Sequence, residues 1–305
     1  MASLKNIKLK ILSYKKTGTV THAMEAVSAV KMRKGQERAL SARAYAASAL
    51  SMLERLAGTA DIGRHPLMRE RKGKTCFIVV TSDKGLAGAL NSGVIRRVEK
   101  EIAEHGLSKD EIIIVAIGRR GGDYFANRGF DVHEKHENVA DGVSEDEIRM
   151  VTDKLITLHT GEVGTCVIAY QNFISTFEQQ PTVRQIVPIT TSGMQEIVRG
   201  IRPARGKYAP QHDETSPHRI PAYTIEPDSN EVLMVLLPKL LNIAIFHALL
   251  ESKASEHSAR MVAMKSATDK AKEMAGDLTR TFNKVRQAAI TREVSEITSG
   301  IEAMK

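Results

Sequence analysis

The C-terminal part of the chain carries one uninterrupted helical pattern, which runs from Ser229 to about Ser299. Pro238 lies near its start and Gly276 lies inside it. Small and apolar residues recur in alternating steps of four and three, at Ala271, Ala275, Leu278, Phe282, Val285 and Ala289. Such steps are the spacing of a coiled-coil seam. Because a helix of about 70 residues extends roughly 100 Å, the pattern predicts a shaft rather than a compact enzyme.

Residues 3–57 predict a second long helix, which carries three apolar stripes. The stripes change register near Gly18 and again near Met32, which predicts a helix that bends or changes partner. In order, the stripes are Leu4, Ile7, Ile11 and Tyr14; Val20, Ala23, Val27 and Val30; and Met32, Gly35, Ala39, Ala42, Ala46, Ala49, Leu53 and Leu56. The C-terminal helix is the partner that matches it in length. Pairing the two puts residues 57 and 229 at the same end, so we expect the helices to run antiparallel.

Between the two helices, short apolar and β-branched runs alternate with helical segments. Strands are predicted at 75–81, 111–117, 132–134, 166–173 and 182–189, and helices at 91–104, 119–127 and 145–159. The early strand–helix–strand order is typical of a parallel sheet, and the last two strands could form a hairpin. The predicted fold class is α/β: a long antiparallel coiled coil of the N- and C-terminal helices plus a central Rossmann-like α/β domain.

These elements divide the chain into four predicted parts. They are an N-terminal shaft helix at 1–57, an α/β foot domain at 73–192, a loop or insert with a return strand at 193–227, and a C-terminal shaft helix at 228–305. Within the third part, residues 199–222 contain four prolines, many charges and no periodicity. That composition predicts an exposed loop or a disordered insert.

Charge is concentrated at the N-terminus. Residues 1–57 hold 11 Lys or Arg and 3 Glu, an excess equal to the net charge of +8 on the whole chain. A basic arm suits nucleic acid, anionic lipid or an acidic protein surface, and charge alone does not choose among them.

The two cysteines and the apolar segments bear on the compartment. Cys76 and Cys166 each open an apolar run, and we predict buried thiols in a reducing compartment. The sequence contains no CxxC motif and its N-terminus has no apolar signal core, so neither a redox switch nor a signal peptide is indicated. The stretch 232–250 is interrupted by polar residues and a proline, which argues against a membrane span. We expect a soluble product on the cytoplasmic or an equivalent face.

The turn from Ser82 to Asn91 lies where a strand leads into a helix, as phosphate-binding loops do. It lacks the third glycine of a dinucleotide fingerprint and the Gly-Lys-Ser/Thr of a Walker loop, so we interpret it as a tight turn whose glycines permit positive φ. His133 and His136 suit a metal only on a helix with a third ligand, and a solvated polar segment is the stronger interpretation. Ser82 and Asp83 lack a placed histidine base. We therefore expect no catalytic site, metal or cofactor.

The densest basic cluster is the segment 31–38, which contains Lys31, Arg33, Lys34 and Arg38. A solvated helix face explains such a cluster. A nucleic-acid arm would usually add aromatic or amide base readers, and Gln36 alone is near. Two alternatives to a shaft stay open: a basic coiled-coil scaffold or nucleic-acid-binding protein, and a nucleotide-binding α/β enzyme with helical arms.

Four segments make the chain resemble the gamma subunit of F-type ATP synthase. They are 7–38 with Ala23-Met24-Glu25, 82–88, 249–265, and 283–296 with Asn283-Lys284-Val285-Arg286-Gln287-Ala288-Ala289-Ile290-Thr291. The resemblance covers nearly the whole chain. It implies a central rotor that couples proton or sodium-ion flow to ATP synthesis or hydrolysis, and that has no catalytic sites of its own.

The resemblance also implies partners and a location. A ring of three alpha and three beta subunits, with catalytic sites on the beta subunits, is implied around the shaft. The α/β foot is implied to contact the epsilon subunit and the c-ring of the membrane sector, and no nucleic acid is implied. The expected location is the cytoplasmic face of the bacterial inner membrane, or the matrix face of a mitochondrion, by indirect peripheral association.

Site residues carried over from the resemblance fall into two groups. The shaft interface with beta-type subunits and their bearing comprises Met24, Arg33, Lys34, Gln36, Arg260, Arg286, Gln287, Thr291, Glu293, Ile297 and Ile301. The turn in the foot comprises Ser82, Asp83, Gly85, Leu86, Gly88 and Asn91. We expect Val294, Ile297, Ile301 and Met304 to form an apolar stripe without a partner on the N-terminal helix. The chain departs from the family pattern at Gly18-Thr19-Val20 and at the charged tip of Glu302 and Lys305.

Overall fold

The computed structural model describes residues 4–41, 43–56, 65–193, 195 and 228–304. The chain divides into two compact units. The first, here called the shaft unit, consists of Met1–Ser28 and Arg260–Lys305, and the second, here called the sheet unit, is Ala29–Ala259. The predicted loop at 199–222 lies outside the described residues. The four-part division of the chain stays a prediction.

The elements follow the predicted order along the chain. The α-helices are α1 (Leu4–Ser41), α2 (Arg43–Leu56), α3 (Leu90–Glu104), α4 (Arg119–Ala126), α5 (Glu145–Gly161) and α6 (Ser229–Glu302). The strands are β1 (Lys74–Val80), β2 (Ile112–Ile117), β3 (Asp131–His136), β4 (Val163–Phe173) and β5 (Gln179–Val187). Short 3-10 turns lie at Pro66–Met68 and Lys109–Glu111.

The sheet unit contains a five-stranded sheet in the order β3-β2-β1-β4-β5. β1 pairs in parallel with both β2 and β4, and β2 pairs in parallel with β3. β4 and β5 pair antiparallel, as a hairpin. This topology confirms the predicted parallel sheet that ends in a hairpin.

The central strand β1 is buried on both faces. Cys76, Ile78 and Val80 belong to the core cluster that includes residues of α5 and α6. Phe77 and Val79 belong to a second cluster, with residues of α3 and α4. Strands covered by helices on both faces have continuous apolar sequences rather than alternating ones, which is why this run was recognisable in the sequence.

The two cysteines are buried free thiols, and they are neighbours in register across β1 and β4. The hydrogen bond with Cys76 and the burial of the site raise the pKa of the Cys166 thiol well above its usual value. Since the thiolate is the reactive form, these thiols are chemically quiet core residues. Their predicted burial is confirmed.

The first turns of α6 complete the core of the sheet unit. Leu236, Leu237, Leu240 and Leu241 are buried in the same cluster as Ile78 of β1. α6 contains an 18-residue window with a mean hydropathy of 2.0, apolar enough to cross a membrane by length and composition, and 67% of that window is buried inside the protein. Packing against the sheet accounts for this apolar composition, as it does for core helices generally.

One turn further along α6, two ionisable side chains are buried together. His247 Nε2 lies 3.6 Å from Glu251 Oε1, which is too long for a hydrogen bond. Burial raises the pKa of Glu251 well above its usual value, and the nearby Arg184 charge and Tyr170 hydroxyl oppose this in part. Burial also lowers the pKa of His247, to about 3, with a contribution from Arg184. His247 is therefore neutral near pH 7, and burial favours the protonated form of Glu251.

The shaft unit consists of paired segments of α1 and α6. Thr21 Oγ1 lies 2.6 Å from Thr268 Oγ1. A Cβ placed on Gly18 would lie 3.7 Å from Ala271 Cβ. As the residue number falls on α1, the partner's number rises on α6, so these helices pair antiparallel, as predicted.

The predicted second stripe of α1 is wrong. Val20, Ala23, Val27 and Val30 are exposed. The buried and half-buried positions of α1 in the shaft unit are Leu4, Ile7, Ile11, Tyr14, Gly18, Thr21, Met24, Glu25 and Ser28. The stripe thus continues through Gly18 without a change of register. Small and weakly polar side chains occupy the seam because they allow close approach of the helix backbones, and the valines face outward.

The predicted α6 seam is present but weakens toward the C-terminus. Met264, Thr268, Ala271 and Ala275 are buried. Leu278, Phe282 and Ala289 are half-buried. Val285 is 36% exposed, so the seam is no longer fully covered at that point.

Changing Glu251 to Gln should stabilise the purified full chain at neutral pH. The pKa of Glu251 is higher in the folded chain than in the unfolded chain. At a pH between the two values, the unfolded chain therefore releases a proton from Glu251 that the folded chain keeps. Stability conferred by the protonated carboxyl is therefore full below the unfolded-state pKa and is lost as pH rises toward the folded-state pKa. The free energy of unfolding of Glu251→Gln should therefore rise relative to that of the wild type by about 1.4 kcal/mol per pH unit in that window.

Urea unfolding at a series of pH values measures this difference. Glu273→Gln, an exposed change on the same helix, is the control. If the difference in free energy of unfolding between Glu251→Gln and the wild type does not change between pH 5 and pH 8, the raised pKa of Glu251 is contradicted.

Replacing Thr21 and Thr268 by Cys should produce a cross-link within one chain under mild oxidation. The two hydroxyls are in contact across the seam, which places their Cβ atoms close enough for a disulfide. The pair Val20→Cys with Thr268→Cys is the control, because Val20 is exposed on the outer face. Non-reducing electrophoresis and peptide mass mapping give the result. Equal cross-linking in the control, or links between chains alone, would overturn the antiparallel seam.

Candidate partner interfaces

The turn in the foot is held by its own polar side chains. Ser82 N donates to Asn91 Oδ1 at 2.9 Å, and Asn91 Nδ2 donates back to Ser82 Oγ at 2.8 Å. Ser82 is buried, and Asn91 lies in the first turn of α3. This pair ties the end of β1 to the start of α3, so both side chains serve the turn itself.

The carboxylate of Asp83 binds the N-terminus of helix α4. Its Oδ1 accepts from the backbone N–H of Arg119 at 3.0 Å, and its Oδ2 accepts from that of Asn138 at 3.0 Å. The start of a helix is where backbone N–H groups bind anions such as phosphate. Here the carboxylate of Asp83 takes that position on α4, which fits the interpretation of a structural turn.

Three further residues of the turn shape its surface. Leu86 adopts φ 63° and Gly88 adopts φ 57°. A Cβ on Gly85 would lie 3.1 Å from the Arg120 guanidinium, so this glycine admits the arginine. The Leu86 side chain is 62% exposed. A left-handed conformation is uncommon and costly for leucine, and here it presents an apolar side chain to solvent.

The basic cluster lies on α1 within the sheet unit. Arg33 and Lys34 are exposed and Gln36 is half-buried. Gly35, between them, packs on Ala254 of α6, with 3.5 Å between its ideal Cβ position and Ala254 Cα. Because neighbouring helix residues point about 100° apart, close packing at Gly35 turns the two basic side chains outward.

The remaining shaft candidates lie in the shaft unit. Met24 and Arg260 are half-buried, and the others, Arg286, Gln287, Thr291, Glu293, Ile297 and Ile301, are exposed. The Thr291 hydroxyl donates to the carbonyl of Gln287 one turn earlier, at 2.9 Å. The expected apolar stripe at the tip is exposed throughout, at Val294, Ile297, Ile301 and Met304.

His133 and His136 lie on strand β3, not on a helix. Residues three apart on a strand point to opposite faces. His136 Nε2 is 2.8 Å from Glu134 Oε2. Across the described ranges, no cluster of three or more His, Cys, Asp or Glu side chains could hold a metal ion.

Sequence reasoning missed two features. The first is an open groove of about 820 Å³ beside Gly18 and Gly276, with a rim that includes Lys15, Lys272 and Arg280. In the sequence, the departure from the family pattern at Gly18 is the feature that coincides with this groove. The second is the loop between β3 and α5, whose Asp141 contacts α1 and α6. No local motif marks that loop, since its partners are more than 100 residues away in sequence.

Sequence comparisons agree on one family. A family model described as ATP synthase matches residues 3–304. The ATP synthase gamma chain of Staphylococcus saprophyticus is 35% identical over 307 residues, with 100% of both chains covered. That of Heliobacterium modesticaldum is 37% identical over 306 residues, also with 100% of both chains covered.

Structure comparisons agree on the fold. The rotor of Euglena gracilis mitochondrial ATP synthase superposes with a TM-score of 0.61 at 14% identity, covering 94% of this chain and 98% of that one. The central stalk and c-ring structure of Tetrahymena thermophila mitochondrial ATP synthase contains a chain with a TM-score of 0.58 at 22% identity. It covers 81% of this chain and 99% of its own length.

A five-stranded sheet with long terminal helices is the fold that this chain shares with solved central stalks of ATP synthases. Full-length identity of 35% to 37% then fixes the membership. The chain belongs to the ATP synthase gamma chain family.

Changing Asp83 to Ala should destabilise the full chain by about 1–2 kcal/mol, because the N-terminus of α4 loses its cap and two backbone donors lose their acceptor. Urea unfolding gives the free energy of unfolding. Asp269→Ala, at an exposed position inside α6, is the control and should leave stability nearly unchanged. Equal effects of the two changes would contradict the capping role.

Proposed function

We propose that this chain is the central rotor shaft of an F-type ATP synthase, coupling transmembrane ion flow to ATP synthesis or hydrolysis by rotation. Family membership carries the proposal. The geometry that fits it is a helix pair whose seam is narrow and whose outer faces remain apolar or charged. Val20, Val27, Val294 and Ile297 are examples of such exposed side chains. Apolar residues exposed at this density mark surfaces that meet other chains.

The proposed surroundings of the shaft are three alpha and three beta subunits, with the catalytic sites on the beta subunits. A shaft that presents different side chains around its circumference meets three chemically equal sites in three different ways. Turning it then shifts the conformational equilibrium of each site in sequence, because each site responds to its differential contacts with the shaft. The chain itself needs no catalytic group for this role.

At the tip, the apolar stripe that ends at Met304 is proposed to turn in a sleeve formed by the surrounding ring. Apolar contacts suit a bearing because they are non-directional and are not fixed to one rotational angle. Gln287, Thr291 and Glu293, nearer the seam, are proposed to make polar contacts with beta-type subunits.

The sheet unit is proposed as the foot that contacts the epsilon subunit and the c-ring. Exposed Leu86 and the basic side chains near it are the surface we assign to those contacts. The proposed association with the membrane is peripheral and indirect, on the cytoplasmic face in a bacterium or on the matrix face in a mitochondrion. No nucleic acid is a proposed partner.

The nucleotide-enzyme alternative finds no support in the turn after β1. Asn91, in the first turn of the helix α3 that follows this turn, is bonded to Ser82, and the carboxylate of Asp83 binds the start of α4. The scaffold alternative would leave the match over residues 3–304 without explanation. We therefore retain the rotor as the single proposed function.

Reversing two charges, Arg33→Glu with Lys34→Glu, should impair coupling while leaving assembly largely intact. Both side chains are exposed, so the fold tolerates the change. Attraction to acidic partner loops would be lost, and ATP-driven ion pumping per ATP hydrolysed should fall by about threefold, the scale of partly screened surface attractions of up to about 1 kcal/mol each.

The rates of ATP hydrolysis and of ATP-driven ion pumping are measured in a reconstituted ATP synthase that contains the variant chain. The matched control is Arg69→Glu with Lys72→Glu, which reverses two exposed charges in the segment before β1. Unchanged pumping in the first variant, or an equal loss in the control, would count against the assignment.

A further inference from the structure

The loop between β3 and α5 reaches both long helices through a single carboxylate. Asp141 Oδ2 accepts from Lys31 Nζ of α1 at 2.8 Å. Asp141 Oδ1 lies 2.9 Å from His257 Nε2 of α6. Since a carboxylate can only accept, the imidazole donates here. One oxygen therefore serves each helix.

Backbone carbonyls of the same loop add two more bonds. Arg38 Nη1 of α1 donates to the carbonyl of Asp141 at 2.7 Å. Lys253 Nζ of α6 donates to the carbonyl of Val139 at 2.8 Å. The four side chains Lys31, Arg38, Lys253 and His257, together with this loop, are here called the clasp.

The loop is itself fixed to the body of the sheet unit. Asn138 N donates to Asp83 Oδ2 at 3.0 Å, and Val143 is buried in the core cluster with α5 and α6. Ser144 then begins α5 with a capping box. Rigid attachment at both ends lets the loop transmit force rather than bend.

The two helices also touch each other beside the clasp. Gly35 of α1 packs against Ala254 of α6. Lys31 is one turn before Gly35 and Arg38 is about one turn after it, whereas Lys253 directly precedes Ala254 and His257 follows it by about one turn. The clasp therefore binds both helices beside a point where they pack against each other.

The chemistry of the clasp suits the transmission of torque. Apolar packing resists separation of two elements but is non-directional, so it resists sliding and axial turning weakly. Hydrogen bonds to charged groups are directional and stronger than neutral ones. The hydrogen bond from His257, aided by Lys31, holds the pKa of the Asp141 carboxyl well below its usual range, so it stays ionised at neutral pH.

We propose that Asp141 is a positioning residue for rotation, which fastens α1 and α6 to the β3–α5 loop so that torque passes between the helix pair and the sheet through the clasp. This inference rests on the proposed rotor function. Asp141 touches no catalytic site, and it acts through the two helices that it holds.

Asp141→Asn is the central test, because it keeps the shape and removes the charge. An amide is uncharged and has a single acceptor oxygen, so at most one of the two present donors keeps its acceptor, and neither bond is any longer made to a carboxylate. In a reconstituted ATP synthase, ATP-driven ion pumping per ATP hydrolysed should fall by about threefold while hydrolysis itself changes little. Lys31→Gln should act in the same direction, and the double variant should lose no more than Asp141→Asn alone.

Asp123→Asn is the matched control. Asp123 Oδ1 pairs with Lys135 Nζ at 3.2 Å, between α4 and β3, and this exposed ion pair touches neither long helix. It should leave the pumping ratio unchanged. Pumping by Asp141→Asn equal to the wild type would overturn the proposal, and so would losses that simply add in the double variant.

A second measurement does not depend on assembly of the complex. Hydrogen exchange in the purified full chain should be about tenfold faster at amides 138–143 in Asp141→Asn, with the strands β1 and β2 unchanged. Equal exchange in variant and wild type would overturn the clasp. Failure of the wild-type chain to restore pumping to a complex that lacks it would instead refute the rotor function, so the two failures are distinguishable.

Discussion

Burial of the first turns of α6 against the sheet is the interaction on which the rest of the structure depends. Leu237 and Leu241 are fully buried in the cluster that also holds Ile78 and Ile113 of the sheet. Fully burying a leucine is worth about 1.5–3 kcal/mol, so a few such residues hold the helix firmly. Because α6 continues as one helix of 74 residues, the element that completes the core is also the element that forms half of the shaft. No loop separates these two roles.

The seam of the shaft unit relies on close approach more than on apolar area. Thr21, Ser28 and Thr268 are buried there, and alanines take much of the remaining contact. Small side chains contribute little transfer energy, but the Thr21–Thr268 hydrogen bond fixes the register, because an unpaired buried hydroxyl would be costly. Val20, Val27 and Val30 of α1 are left on the outer face. A helix pair built in this way is held together by close backbone approach, and part of its apolar surface stays exposed.

Much of the fold was readable from the sequence, and the error on α1 shows where that stops. Strand β1 and helix α6 were found because a buried β-branched run and a long seam each have one physical explanation. Val20 and Val27 were assigned to an internal stripe because their spacing fits a helix face equally well. Periodicity reports that a face is apolar, but it does not report whether the partner is in the same chain. The positive φ predicted for glycine in the turn at 82–91 is observed at Gly88. The Asp141 contacts were out of reach, since they join residues that are distant in sequence and share no motif.

The turn after β1 and the loop after β3 form one connected hydrogen-bonded path within the sheet unit. Asn91 holds Ser82, and the next residue, Asp83, binds the backbone of Asn138. Three residues later, Asp141 binds Lys31 and His257 on the two long helices. The carboxyl edge of a parallel sheet is where α/β proteins commonly bind ligands. In this chain the same edge is occupied by the protein's own carboxylates, Asp83 at the start of α4 and Asp141 at the helix pair. A position that elsewhere recognises a phosphate here recognises backbone amides and basic side chains of the same molecule.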